Sequence, residues 1–410
     1  MPIDWPFEFP GAYWLDEQED EAVLDVLRHG SMFRYYGLRP PKYVDAYEDA
    51  ARQFYGVRHA LAVNSGTGAL ITAMRALGIG PGAEVIVPAF MWVATVAAVV
   101  QVGAIPVLCE IDDSFSTDPA DLERRITPRT RLIVPIHMAG ASCDMGAIMA
   151  VANRHGIDVL EDCAQCNGGQ FGGRKVGTFG RVGIFSLQLN KNMTAGEGGL
   201  LITDDERLYH RAFSAHDMGM IRVGGRLAMP EPYAMAWGGG RRMAELCGAV
   251  LSVQIRKLPA ILEHMRSSKR RIRAALEGAP RLSFRRLNDA EGDTGAFLIM
   301  ALADEPSALM ATARFKAAGL HNAVRVAEYG LHIYSNIPSL VSKAPLSPAG
   351  EPWSLPANAF CRYDYAQGAC PASDALFARS IIVPIPSCLS EAQEQAATDE
   401  IRSTVVGGAE

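Results

Sequence analysis

The sequence predicts an α/β protein: a large domain with a mainly parallel sheet between helices, then a smaller C-terminal α+β domain. Three observations carry that expectation. Strand-like and helix-like runs alternate from Ala60 to about Asp205. The chain has 410 residues, 49% of them apolar and only 20% charged, which suits a deep core and rules out disorder as the overall state. Beyond about residue 260 the strands become short and scattered among helices. The expected division is an N-terminal arm over 1–15, a large domain over 16–260 and a small domain over 261–410.

The elements follow in order. Ala22, Val23, Leu24, Val26 and Leu27 give one apolar stripe to a helix that Gly30 ends. Leu61–Val63 reads as a strand and Thr67–Leu77 as a helix. Val85–Val87, a helix around Trp92–Val102 and a strand Ile105–Ile111 come next. Val85 to Cys109 is the longest uncharged stretch, but Pro88, Thr95, Gln101, Gly103 and Pro106 divide it, so strand–helix–strand fits better than a membrane span. Arg131–His137 is expected as a strand, Asp144–His155 as a helix and Asp158–Leu160 as a strand. Pro259 is expected to separate two helices, Arg242–Lys257 and Ile261–Ala275. Ala296–Leu302 reads as a strand. Asp304 caps a helix with Pro306 in its first turn, and Ser390 with Gln393 forms a capping box for the last helix. Val324–Val326 and Ser380–Ile385 are short strands. Residues 331–379 look irregular and read equally as a packed meander or a substrate lid.

Composition excludes some functions. With 39 basic and 45 acidic residues the net charge is −6, without the electrostatic footprint of a nucleic-acid binder. The first residues lack the pattern of a signal peptide. Of eight cysteines only Cys163 and Cys166 form a C-x-x-C pair, and no second pair completes a zinc site. They read as two small buried residues, no metal is expected, and the expected compartment is the reducing cytoplasm.

Four segments carry chemistry. Val63-Asn64-Ser65-Gly66-Thr67-Gly68 takes a strand through a small-residue turn into a helix, where free N–H groups and the Thr67 hydroxyl suit a phosphate. Asp158–Asp162 ends an apolar strand in an acid at the edge where open α/β sheets bind ligands, able to hold a ring N–H⁺ or a metal. Phe185-Ser186-Leu187-Gln188-Leu189-Asn190-Lys191 sets a lysine between a strand and a Gly-rich turn; if buried, that amine becomes a nucleophile toward carbonyls. Trp92 follows the strand ending at Pro88 and offers a face for a planar ring. Each feature alone has an ordinary explanation: a tight turn, a capping acid, an exposed loop lysine, a core tryptophan. Together they are the contacts that pyridoxal phosphate (PLP) needs.

The sequence resembles the DegT–DnrJ–StrS family of sugar and aminocyclitol aminotransferases, which are fold-type I, PLP-dependent enzymes. The likeness runs from about Gly30 to Pro259. It rests on Asn64-Ser65-Gly66-Thr67, Gly78-Ile79-Gly80-Pro81-Gly82, Glu84–Pro88, Gly103–Val107, Ile126-Thr127-Pro128, Glu161-Asp162-Cys163-Ala164-Gln165, Gly177–Gly180 and Gly196-Glu197-Gly198-Gly199. The resemblance implies Lys191 as the Schiff-base lysine and Asp162 as the partner of the pyridine nitrogen. It puts Gln165 at the ring's phenolic side, Trp92 on the ring face, and Ser186 with Gly66 and Thr67 on the phosphate. It further implies a homodimer with shared sites. The reaction it implies moves an amino group from glutamate or glutamine to a keto sugar nucleotide or keto-cyclitol, in amino-sugar or aminocyclitol biosynthesis for an antibiotic or surface polysaccharide. Lysine rather than histidine at 191 favours transamination over the family's dehydratase branch.

Two departures stand out. Gly240 takes the place where the family commonly has an asparagine directed at the partner's phosphate group, and Met91 takes a place often held by threonine. Arg241, Arg242 and Arg325 are candidates for the donor's carboxylate. The alternatives are a PLP-dependent lyase or eliminase and a non-catalytic PLP-binding regulator; the absence of a basic patch argues against the latter.

Overall fold

The computed structural model describes residues 2–406. Met1 of the expected arm and 407–410 of the expected small domain lie outside the described residues. A seven-stranded sheet forms the centre, in the spatial order His59–Val63, Gly199–Thr203, Val182–Ser186, Asp158–Asp162, Thr130–Ile133, Glu84–Pro88, Ile105–Cys109. The last five of these pair in parallel, whereas Gly199–Thr203 runs antiparallel to both its neighbours. Strands buried on both faces read as continuous apolar runs, as in Leu61–Val63 and Val85–Val87. The uncharged stretch resolves into strand, helix Val93–Gln101 and strand, as its breakers predicted. Among the described residues no helix is long and apolar enough to cross a membrane.

The chain order lays the ends of three strands along one edge: Val63, Asp162 and Ser186. Glycine permits the closest approaches there. A Cβ on Gly199 would lie 2.3 Å from the Ser65 carbonyl oxygen.

The C-terminal part is built on a four-stranded antiparallel sheet, ordered Ser283–Phe284, Phe297–Ala301, Ser380–Pro384, Val324–Arg325. Helices Glu305–Ala317 and Glu391–Val406 accompany it, and Trp5 of the N-terminal arm joins its core. The predicted caps are present: Asp304 accepts from Ser307 N–H at 2.9 Å, and Ser390 N–H donates to Gln393 at 2.9 Å.

One expectation is corrected. Pro259 does not separate two helices; a single helix runs Glu245–Leu276, about 48 Å at 1.5 Å per residue. An interior proline costs about 3 kcal/mol. Burial of Leu258, Ile261, Leu262 and Met265 around it, at roughly 1.5–3 kcal/mol per large side chain, outweighs that cost.

The irregular segment is a packed meander for most of its length and contains a further helix, Pro371–Arg379. Asn358 bonds Gly82 and Gly103, Tyr365 bonds the Pro106 carbonyl at 2.7 Å, and Tyr363 bonds Glu84 at 2.8 Å. These contacts fasten it to the edge of the large sheet.

Candidate active site

The strand His59–Val63 delivers Ser65 to the start of helix Gly66–Leu77. Ser65 Oγ accepts from Gly68 N–H at 2.9 Å. The N–H groups of Gly66 and Thr67 find no partner among the described residues, as expected of a helix's first turn. Ser186 faces them: a Cβ on Gly66 would lie 2.8 Å from the Ser186 Cβ, so only glycine allows this approach. Ser186 is 8% exposed, and its hydroxyl donates to no described residue. Two free amides and a hydroxyl whose proton is uncommitted, its oxygen accepting from Gln188 N–H at 3.5 Å, thus form an anion cradle at a helix N-terminus.

Asp162 ends its strand beside the cradle. Its Oδ2 accepts from Thr95 Oγ1 at 2.7 Å and its Oδ1 from Ala164 N–H at 3.0 Å. Burial nonetheless raises its pKa; those bonds and Lys191 oppose the rise. Burial lowers the Lys191 pKa, and Asp162 partly restores it. The lysine loop is stiffened from behind, with Asn167 Nδ2 on the Ser186 carbonyl and Asn192 Nδ2 on the Asn167 carbonyl, both at 3.1 Å.

Gln165 accepts from Ala139 N–H at 3.2 Å and donates to His332 Nε2 at 3.0 Å. His332 Nδ1–H donates to the Tyr329 carbonyl at 3.0 Å, which fixes this tautomer. Burial, assisted by the Lys191 charge, pushes the His332 pKa down to about 4. The imidazole stacks on Tyr329 (4.2 Å, 20°) and meets the half-exposed Trp92 at 4.7 Å. Trp92 therefore stands at the expected strand end with one face already against His332. Sequence reasoning missed His332, because a lone histidine in an irregular segment carries no spacing signal. It arrives because the 332–334 backbone bonds back to the strand end: Met91 N–H donates to the His332 carbonyl and Tyr334 N–H to the Ala89 carbonyl.

Lys191 and Gln165 open into a cavity of about 370 Å³, shared with Glu8, Phe9, Phe297 and His332. The N-terminal arm forms one wall, and Gly11 N–H donates to the Lys191 carbonyl at 3.0 Å. Glu8 is tied to Ser387 of the C-terminal part, and burial raises its pKa. A larger hollow of about 550 Å³ between Arg58, Thr178 and Asp205 holds none of these groups.

The remaining candidates separate. Arg242 pairs with Asp217 at 2.6 Å, and Arg325 pairs with Glu305 and Glu328. Arg241 keeps a buried Nη1 without a partner. Gly240 has φ +62 with open space around it, so an asparagine would be tolerated there and this chain lacks one. Met91 is fully buried. Cys163 and Cys166 are buried thiols. His137, Glu161 and Cys163 bring ligand-type atoms within 4.8 Å of one another. The lone pairs of Glu161 and His137 are already used. Glu161 accepts from Gly177, Phe179 and Gly180 N–H groups and from His137 Nε2, and His137 Nδ1 accepts from Cys143 N–H. That network anchors the strand ending in Asp162.

A family profile for the DegT/DnrJ/EryC1/StrS aminotransferases matches residues 14–338. The chain belongs to this family. It is similar to the L-glutamine:2-deoxy-scyllo-inosose aminotransferase of Micromonospora echinospora, 38% identical over 249 residues, covering 60% of this chain and 56% of that protein. It is similar to the GDP-perosamine synthase of Vibrio cholerae, 36% identical over 240 residues, covering 58% of this chain and 64% of that protein. The chain thus spans less than two thirds of these relatives' length. A crystal structure of 3-amino-5-hydroxybenzoic acid synthase superposes with a TM-score of 0.80 at 26% identity, covering 100% of both chains.

Proposed function

We propose that this protein is a PLP-dependent aminotransferase that passes an amino group from glutamate or glutamine to a keto-cyclitol or keto sugar nucleotide in amino-sugar or aminocyclitol biosynthesis. One observation carries the reading: a half-buried lysine made less basic by desolvation shares a charge interaction with the buried Asp162, beside an anion cradle whose Gly66 and Thr67 amides have no partner among the described residues. The residues fit the cofactor. The Gly66 and Thr67 amides and the Ser186 hydroxyl would hold its phosphate. Asp162, held at both oxygens by Thr95 and Ala164 but making no direct ion pair among the described residues, would take the ring N–H⁺. Gln165 would address the phenolic side, and Trp92 with His332 would flank the ring. When bound, PLP supplies an aldehyde and an electron-accepting ring.

The chain's own groups do the rest. Lys191, whose desolvated amine gives up its proton more readily than a free lysine's, takes up and returns a proton as general base and acid. Neutral His332 holds Gln165 in one orientation. The arm and the Tyr329–His332 segment restrict water. The names of the similar proteins support a cyclitol or sugar acceptor. A homodimer fits the exposed apolar residues Tyr36, Leu38, Met229 and Trp237 on adjoining loops. Eight unpaired cysteines suit the cytoplasm.

The test is spectroscopic. Apo-protein given PLP is expected to turn yellow, and borohydride is expected to fix the cofactor on Lys191. A colourless protein with no adduct at that residue overturns the reading. Adding glutamate alone should yield pyridoxamine phosphate, which a lyase would not produce. A panel of keto-cyclitols and keto sugar nucleotides, read by mass spectrometry, then identifies the acceptor, and sedimentation tests the dimer.

A further inference from the structure

Arg241 is held in place by its backbone. Its N–H donates to the His216 carbonyl at 2.6 Å, and its carbonyl accepts from Asn64 N–H at 3.0 Å. Asn64 leads into Ser65, so the side chain departs from the turn that carries Gly66 and Thr67. It then passes the first turn of the helix, where a Cβ on Gly68 would lie 3.3 Å from the Arg241 Cδ. The guanidinium folds onto Gly239, where a Cβ would lie only 1.9 Å from Nη1; glycine at 239 leaves the room it occupies.

Its neighbours are paired and it is not. Arg222 and Arg242 both bond Asp217, and Arg34 bonds Glu48 at 2.9 Å. Arg241 Nη1 is shut off from solvent and donates to nothing among the described residues. The charged group it senses is another cation, Arg75, and burial together with that repulsion lowers its pKa. A buried unpaired donor is unfavourable, and the Arg75 charge adds to the cost. An anion with several oxygens relieves both. Arg241 does not line the cavity that opens on Lys191, which makes a donor carboxylate the poorer match.

We infer that Arg241 is a phosphate-binding residue for the cofactor, supplying the cation that the amides of Gly66 and Thr67 and the hydroxyl of Ser186 do not. This rests on the PLP reading above. It also gives the Gly240 departure a compensation, since the residue beside the missing asparagine is the one with donors to spare.

The test compares two ligands on the apo-protein. PLP and pyridoxal, which lacks the phosphate, are titrated by quenching of protein fluorescence against wild type, R241A and R241K. R241A is expected to weaken PLP about ten- to a hundredfold, to leave pyridoxal within about twofold, and to be partly rescued by R241K. Apo R241A is expected to melt no lower than wild type, because an unpaired buried donor has gone. Unchanged PLP affinity in R241A overturns the proposal. So does an equal loss of both ligands, which would make the residue structural. A raised KM for the amino donor at saturating PLP would assign the guanidinium to the donor's carboxylate and overturn it too. Wild-type protein that takes up no PLP sinks the cofactor reading itself, and that result is seen before any variant is compared.

Discussion

Lys191 and Asp162 each carry a charge that burial disfavours, and each partly compensates the other. The amine is expected to react with formaldehyde and cyanoborohydride at a pH midpoint below that of free lysine. D162N removes the charge that favours the ammonium, so it is expected to move the midpoint lower still. Peptide mass spectrometry across a pH series reads both, and a midpoint at or above the free-lysine value contradicts the assignment. In turnover, D162N is expected to lose roughly 10²–10³-fold, the usual cost of one preorganised electrostatic partner. His216 makes a second prediction. It donates from Nδ1 to the Phe213 carbonyl, and its Nε2 accepts from the Tyr35 hydroxyl at 3.0 Å. Burial pushes its pKa from 6.5 down to about 3. The fold disfavours its charge, so its contribution is complete above the unfolded value and fades as pH falls toward about 3. Between pH 7.5 and 5 the wild type is expected to lose about 2 kcal/mol more than His216→Asn, measured by urea unfolding. Equal losses would mean that His216 is not held neutral.

At the scale of elements, the helix Tyr43–Tyr55 shows why part of the fold was illegible in sequence. Lys42 stands at its N-cap and offers no side-chain acceptor. Glu245, two hundred positions away and 1% exposed, accepts from the N–H groups of Lys42, Tyr43 and Val44 at 3.0, 2.8 and 3.0 Å. No local pattern announces a cap supplied by another helix. Glu245→Ala is expected to cost about 2–4 kcal/mol in urea unfolding, because it strands several donors at a helix N-terminus; a cost under about 0.5 kcal/mol, typical of an ordinary surface position, would refute this role. The strand ends were legible for the opposite reason. Ser65, Asp162 and Ser186 each lie at or just beyond an apolar run that marks a strand, so the polar candidates could be placed at the strand ends. His332 was hidden because its place depends on backbone bonds to Ala89 and Met91. The single helix through Pro259 was misread because local cost was weighed without the burial on either side.

At the scale of the molecule, the arm closes the site from outside. A Cβ on Gly11 would lie 2.9 Å from the Lys191 carbonyl oxygen and 3.0 Å from the Thr194 nitrogen. Gly11→Val is expected to lift the arm: amide exchange over residues 6–13 should quicken by at least about tenfold, as for a loss of some 1.4 kcal/mol, and the acceptor's KM should rise with the melting temperature little changed. Exchange as slow as wild type would show the arm to be a spectator. The long helix bears on how substrates enter. Leu251, Ile255 and Leu258 anchor it in the core beneath the large sheet, whereas Ile272 and Leu276 anchor it in the C-terminal core. One continuous rod riveted into both halves leaves no pivot at the junction. Any widening of the way to the Lys191 amine then falls to the thin pieces at its rim, the arm and the Tyr329–His332 segment.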